Sequence, residues 1–245
     1  MSLRATDDVF KGNRIVFAFA LLVPLAGSRA EAGLVVSNLS NTLGQAWTIG
    51  RDDVDLTDSP VANRFATGSG PGWHLDSVVL NLGLFAGSPT GDIEIYLAAD
   101  NGGLPGGLLT DFPSASPTSS LEITMLTPQT PIVLAPSTAY WLVASADVAD
   151  QYIWNFTEDF SQTGLSGWLI GDTSWGGYPA GSWTPLILPP GATPAPTLFQ
   201  VNASAVPEPS TTAMFGIGMA LVGLGMFRRN RRGSRVREIW SPEQV

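Results

Sequence analysis

The sequence predicts an all-β protein with a single β-sandwich or jelly-roll domain at residues 33–205, flanked by an apolar helix near each end of the chain. Within the domain, short runs rich in Val, Ile, Phe, Trp and Tyr alternate apolar and polar residues, the two-residue period of a half-buried strand. Clusters of Gly, Pro, Ser, Thr, Asn and Asp separate these runs. No stretch between residues 33 and 206 keeps a helical period. We therefore expect strands joined by turns to form two packed sheets.

The longest strand-like segment, WHLDSVVLNLGLF at residues 73–85, has apolar residues on both faces, which indicates a central strand. Strict alternation places Leu75 and Val79 on one of its faces and Val78 on the other. In DIEIYLAA, at residues 92–99, the same period directs Ile and Leu inward and Asp, Glu and Tyr outward. The DNGG sequence that follows is a turn signal. Further strands are expected at FATG, LEITML, PIVL, TAYWLVASA, YIWNFT and APTLFQVNASA.

The charges of the domain exclude one class of partner. Residues 33–206 contain fifteen Asp or Glu against Arg51 and Arg64, a net charge of −13. A surface this acidic repels phosphate backbones, so nucleic acid is not an expected partner. The chain has no cysteine, so its stability must come from core burial rather than from disulfides.

Residues 1–32 have the order of features found in a secretory signal peptide. Basic residues precede the apolar run IVFAFALLVPLAG, and Ala30 and Ala32 then form a small-x-small cleavage pattern. The segment predicts export through the secretion machinery and cleavage by signal peptidase, so that the mature chain begins at Gly33. A buried N-terminal helix is the alternative.

The C-terminal region contains an apolar span at residues 211–227, at the short limit of the ~17–25 residues that cross a bilayer. Arginines follow immediately, which favours an orientation with the basic end inside and the acidic domain outside. Four glycines within the span weaken its helix propensity. The span is therefore predicted to hold the chain in the inner membrane only transiently. The arginines that follow the span and oppose its translocation are Arg228, Arg229, Arg231 and Arg232.

Residues 206–235 resemble the PEP-CTERM sorting signal, in which a Pro-Glu-Pro core, an apolar span and an arginine patch occur in this order. The core corresponds to Pro207, Glu208 and Pro209. The resemblance implies recognition by exosortase, a membrane-embedded processing enzyme of Gram-negative bacteria that make extracellular polysaccharide. The tail at residues 233–245 is longer than such signals usually carry, and residues 236–245 are predicted to be cytoplasmic. The alternative is a Pro-rich linker before a permanent anchor.

A second resemblance covers residues 40–160. The segments NRFATG, LDSVVLNLGL, GDIEIYLAADNGGLPGGLL, LAPSTAYWLVAS and YIWNF follow one another as in the choice-of-anchor domains of bacterial surface proteins, most closely type R. This resemblance implies an extracellular β-sandwich with no catalytic residues. Residues 160–195 depart from it as an insertion rich in Trp and Gly.

The sequence supplies little catalytic chemistry, so we do not expect an enzyme. His74 is the only histidine, and no nucleophile elbow or phosphate loop is present. His74, beside Trp73 at a strand start, is interpreted as a partly exposed packing residue. No cofactor is expected.

Two clusters remain candidates for binding. Acidic residues that alternate on a loop supply the oxygen ligands that calcium prefers, although this loop lacks the EF-hand pattern and also fits a solvated acidic loop. The four acidic residues are Asp52, Asp53, Asp55 and Asp58. Aromatic residues of the insertion are suited to stacking on sugar rings or, alternatively, to closing one end of the sandwich. These residues are Trp168, Trp175, Tyr178 and Trp183.

Two functions therefore remain open. The first is a structural or interaction protein of the cell surface or extracellular biofilm matrix, sorted through its C-terminus. The second is a carbohydrate-binding module that binds extracellular polysaccharide at the same location.

Overall fold

The computed structural model describes residues 32–51, 58–85, 91–146, 152–177, 182–185, 195–207, 218–219 and 221–222. These residues form two antiparallel sheets that pack face to face, which confirms the predicted all-β sandwich. The strands are β1 Gly33–Ser37, β2 Ala46–Arg51, β3 Asp58–Ser59, β4 Val61–Ala66, β5 Trp73–Leu84, β6 Glu94–Asp100, β7 Pro105–Asp111, β8 Glu122–Leu126, β9 Val133–Leu134, β10 Ala139–Ser145, β11 Tyr152–Asn155, β12 Thr163–Gly164, β13 Leu169–Gly177, β14 Ser182–Pro185 and β15 Phe199–Ala205.

The two flanking helices of the prediction fall almost entirely outside the described residues. The signal-peptide segment up to residue 31 is not described. Four residues of the C-terminal span, Gly218, Met219, Leu221 and Val222, are helical. Within the part of the chain that is described, no helix has the length and apolarity needed to cross a membrane.

The first sheet has the strand order β12-β1-β15-β5-β11-β2-β3, and β8 and β9 also pair with β5. The second sheet has the order β14-β13-β4-β10-β6-β7. Val78 of β5 pairs with Val201 of β15 and also with Leu126 of β8, so β8 lies on the edge of β5 opposite β15. Strand β5 therefore has neighbours on both edges, as predicted for a central strand.

The register of β5 contains a bulge that strict alternation does not predict. Asn202 pairs with Ser77 and Ala203 pairs with Leu75, which leaves Asp76 without an opposite residue. The extra residue turns Leu75 inward, onto the face of Val78, where it is buried in the core between the sheets. This corrects the expectation that Leu75 and Val79 share a face.

The main core lies between the sheets and includes several aromatic side chains. Trp154 packs edge-on against Phe199 of β15, with ring centroids 6.2 Å apart. Phe65 of β4 stacks on Trp168, with centroids 6.4 Å apart. Such pairs contribute beyond the area that they bury.

A smaller second cluster lies on the outer face of the second sheet. It consists of Ala62, Ala98, Trp141 and Val143, all fully buried, with Tyr96 and Trp183 packed against it. In β10 the alternate residues, Tyr140, Leu142 and Ala144, belong to the main core, so Trp141 and Val143 point away from the first sheet. The centre of the second sheet is therefore packed on both faces.

Asn63 of β4 is a fully buried polar residue that connects the two sheets. Its Oδ1 accepts hydrogen bonds from the backbone N–H of Thr197, at 2.8 Å, and from the hydroxyl of Thr173, at 3.0 Å. Its Nδ2 donates to the carbonyl of Gly171 at 3.1 Å. These bonds satisfy a group that would otherwise be costly to bury.

Candidate functional site

The C-terminal end of the sandwich is the first candidate site. Strand β15 pairs with β1 on one edge and with β5 on the other, and it ends at Ala205. The backbone N–H of Val206 donates to the carbonyl of Gly72 at 2.8 Å, which is the last described hydrogen bond of this strand. Pro207 has no N–H to continue the ladder and is exposed. The chain therefore leaves the sheet at the proline that begins the predicted processing core.

The remaining residues of the predicted sorting signal are not described. They are Glu208, Pro209, Arg228, Arg229, Arg231 and Arg232. Ala30 of the predicted signal-peptide cleavage site is likewise outside the described residues, whereas Ala32 is exposed directly before β1. Their roles stay predictions.

Of the four acidic residues predicted to bind calcium, the structure describes only Asp58. Asp58 begins β3 and pairs with Arg51 of β2, whereas Asp52, Asp53 and Asp55 lie outside the described residues. Among the residues that the structure describes, no three acidic, histidine or cysteine side chains are grouped to hold a metal ion. Calcium binding by this loop stays a prediction.

The aromatic residues of the insertion do not share one surface. Trp168 is 2% exposed and lies in the main core, between Phe65 and Trp73, whose ring is 5.6 Å away. Its burial leaves no face for a sugar ring, which corrects its assignment as a carbohydrate contact and favours the packing alternative.

The other aromatic residues of the insertion are only partly described. Trp183 of β14 is half-buried against the second cluster. Trp175 pairs through its backbone with Val61 and Thr184, and Tyr178 is outside the described residues. His74 is exposed on β5, where its backbone pairs with Val133 and Ser204.

A groove that the sequence did not predict lies beside β6 and β7. It encloses about 310 Å³ and combines carboxylate, phenol, hydroxyl and amide groups. Its lining residues are Glu94, Ile95, Tyr96, Asp111, Phe112, Ser114 and Gln129.

Backbone pairing holds the polar groups of this groove together. Tyr96 pairs with Asp111 across β6 and β7, and the N–H of Phe112 donates to the carbonyl of Ile95 at 2.9 Å. The amide of Gln129 donates to the carbonyl of Phe112 at 3.0 Å. Burial and the nearby carboxylate of Glu94 raise the pKa of Tyr96 above its ordinary value.

The sequence did not predict the groove because the lining residues come from separate segments of the chain and no sequence motif connects them. Glu94 and Tyr96 lie on β6, Asp111 ends β7, and Gln129 lies on the loop after β8. The alternation in β6 predicted which of its residues face outward, but only the tertiary fold brings Gln129 next to them.

Comparison with known proteins identifies the C-terminal segment. Residues 205–232 match the family model described as PEP-CTERM protein-sorting motif. No curated protein and no solved structure matches the chain. The match supports exosortase-type C-terminal sorting of an exported protein, as the Pro-Glu-Pro resemblance predicted. It also implies processing by an exosortase-type enzyme and sorting to the cell envelope.

Proposed function

We propose that this chain is a structural or interaction protein of the cell surface or extracellular matrix of a Gram-negative-type bacterium. The observation that carries the proposal is the position of the sorting motif: it starts at Ala205, the last residue of β15, and Pro207 two residues later is exposed. A membrane-embedded enzyme can reach such a segment without unfolding the sandwich. The role proposed for the domain is non-catalytic.

The proposed route to the surface has three steps. The signal peptide at residues 1–32 directs export, and signal peptidase removes it. The apolar span at residues 211–227 then holds the chain in the inner membrane, because the arginines behind it oppose translocation. Finally, an exosortase-type enzyme cuts near Pro207-Glu208-Pro209. The exported body is proposed to be a choice-of-anchor type R-like domain, on the resemblance over residues 40–160.

Replacement of Glu208 tests this route. Glu208→Ala lies beyond the last strand, so export and folding should be unchanged while an uncut membrane form accumulates. Glu158→Ala, at an exposed glutamate inside the domain, is the control and should be processed normally. Mass spectrometry of the surface product decides the outcome. A wild-type product that still contains Arg228–Arg232 would refute processing and leave a permanent anchor.

The second candidate function is binding of extracellular polysaccharide. The groove beside β6 and β7 favours it, because its lining includes carboxylate, hydroxyl and amide groups of the kind that hydrogen-bond sugar hydroxyls. Polysaccharide pull-down with Asp111→Asn should lose binding, whereas Glu158→Gln should not. If Trp175→Ala or Trp183→Ala abolishes binding and Asp111→Asn does not, the insertion rather than the groove is the sugar site.

A further inference from the structure

Four exposed apolar side chains form a row along one margin of the first sheet. They are Leu121, Ile123, Met125 and Val133, each between 50% and 67% exposed. We call these four residues the apolar row.

Strand register and burial place three of these side chains, Ile123, Met125 and Val133, on the outer face. Met125 pairs with Val79 and Ile123 pairs with Asn81, and paired residues of neighbouring strands point to the same side. Val78 and Leu126, which pair next to them, are in the main core, so Met125 and Ile123 point away from it. In β9, Leu134 is buried in the main core and the preceding Val133 is exposed, so Val133 also points outward.

The row begins where the chain leaves the sandwich. A Cβ placed on Gly72 would lie 2.9 Å from Cγ1 of Val133 and 3.7 Å from Cγ2 of Val206, so these two valines flank the same glycine. The backbone N–H of Val206 is bonded to the carbonyl of Gly72. Val133 is thus the member of the row that adjoins the start of the sorting motif.

The chain between the sandwich and the apolar span is short. Residues 207–210 separate Val206 from the span that begins at residue 211, and the five steps from residue 206 to residue 211 reach at most about 18 Å when fully extended. While the span is in the bilayer, the C-terminal end of β15 must therefore lie close to the membrane surface. The surface of the domain next to Val206 is therefore within reach of the lipid.

We propose that the apolar row contacts the bilayer surface while the chain is tethered, so that the domain lies on the membrane with its first sheet down and holds Pro-Glu-Pro at the interface. This inference rests on the proposed tether at residues 211–227. Two acidic groups near the row each have one oxygen hydrogen-bonded within the domain: Glu122 accepts a bond from the N–H of Thr118, and Oδ1 of Asp76 accepts one from the hydroxyl of Ser204. Oδ2 of Asp76 is buried without a hydrogen-bond partner among the described residues. The occupant that suits the row is the zwitterionic lipid interface, since the net charge of the domain opposes anionic lipid.

The absence of cysteine from the sequence makes a site-specific test direct. Full-length Met125→Cys is labelled with a fluorophore and reconstituted into phosphatidylcholine vesicles with brominated acyl chains, which quench at short range. The matched control is Leu108→Cys on β7 of the second sheet, where the exposed fraction, 58%, is close to the 67% of Met125. We expect quenching at position 125 to exceed that at position 108 severalfold.

Three other outcomes would each contradict a different part of the proposal. Full chain that floats with the vesicles but is quenched equally at both positions refutes the contact and leaves the tether intact. Full chain that does not float refutes the tether, and the contact with it. Fluorescence at position 125 that changes with protein concentration in detergent, without lipid, would assign the row to a second copy of the chain pairing along the edge of β8.

Discussion

The outer faces of the two sheets both carry apolar side chains, and the centre of the second sheet differs from the β8 margin of the first in whether these side chains are covered. On the second sheet, Trp141 and Val143 are fully buried beneath Tyr96 and Trp183. On the first sheet, Ile123 and Met125 are mostly exposed. The difference comes from the covering side chains, of which Tyr96 lies on β6 and Trp183 lies on β14 in the insertion.

This contrast changes the interpretation of the insertion. Trp168 closes the main core and Trp183 packs on the second cluster, so both described tryptophan side chains of the segment serve packing. The apolar surface around Trp141 and Val143 is covered by side chains of the same chain. The apolar row is exposed and is therefore available to contact another molecule or the membrane. The stability of the domain should therefore depend on the covered face and not on the bare one.

The largest effect should come from the covered face. Trp141→Ala removes a fully buried indole and its 2.8 Å hydrogen bond from Nε1 to Oδ1 of Asp100. Truncations of this kind cost about 3–5 kcal/mol. Urea denaturation followed by circular dichroism measures the loss. If Trp141→Ala lowers the free energy of unfolding no more than Met125→Ala does, the proposed difference between the two faces is wrong.

The same two faces show how much the sequence could predict. The patterns in TAYWLVASA and WHLDSVVLNLGLF predicted the strands β10 and β5, and the second pattern predicted apolar residues on both faces of β5. It could not identify the covered face, because Trp183 lies about forty residues beyond Trp141 and meets it only in the tertiary fold. Nor could it predict the bulge at Asp76, which depends on the register of β15.

The sorting motif was predictable because its chemistry is local. Pro207-Glu208-Pro209, the apolar span and the arginines are consecutive in the chain, so no tertiary contact is needed to recognise them. The groove beside β7 is the opposite case, since its polar groups come from separate segments.

A smaller effect is expected at the polar connection between the sheets. Asn63→Ala leaves the N–H of Thr197 and the carbonyl of Gly171 without the partners that Asn63 supplies. The expected loss is about 2–3 kcal/mol, from unsatisfied buried groups. Asn41→Ala is the control: it removes bonds at the surface to the carbonyls of Asp159 and Ser161 and should cost less than about 1 kcal/mol. Similar losses in the two variants would argue against a connection specific to Asn63.

The next effect concerns the acid dependence of the covered face. Burial raises the pKa of Asp100, but hydrogen bonds from Trp141 and Gly103 and the Arg64 guanidinium 3.0 Å away outweigh it and hold this pKa below the usual value of 3.8. The carboxylate therefore stabilises the fold above about pH 4, and this contribution is lost as pH falls through the lowered pKa. Because Arg64 is 35% exposed, the contribution is about 1 kcal/mol or less.

Asp100→Asn isolates this carboxylate. Unfolding is measured between pH 7 and pH 3, and the wild-type chain should lose more stability on acidification than the variant. Parallel pH profiles for the two chains would show that Asp100 does not contribute to the acid dependence of the covered face.

The smallest effect on stability should come from the exposed apolar row of the first sheet. Met125→Ser and Ile123→Ser remove side chains that are 67% and 60% exposed, so each should change the free energy of unfolding by no more than about 0.5 kcal/mol. The same variants should weaken membrane contact, because they shorten the apolar row. A loss above about 1.5 kcal/mol in urea denaturation would mean that these side chains are packed in solution, and the distinction between a covered and a bare face would fail. A small loss combined with reduced quenching by brominated lipid would separate the role of this face in membrane contact from any role in folding.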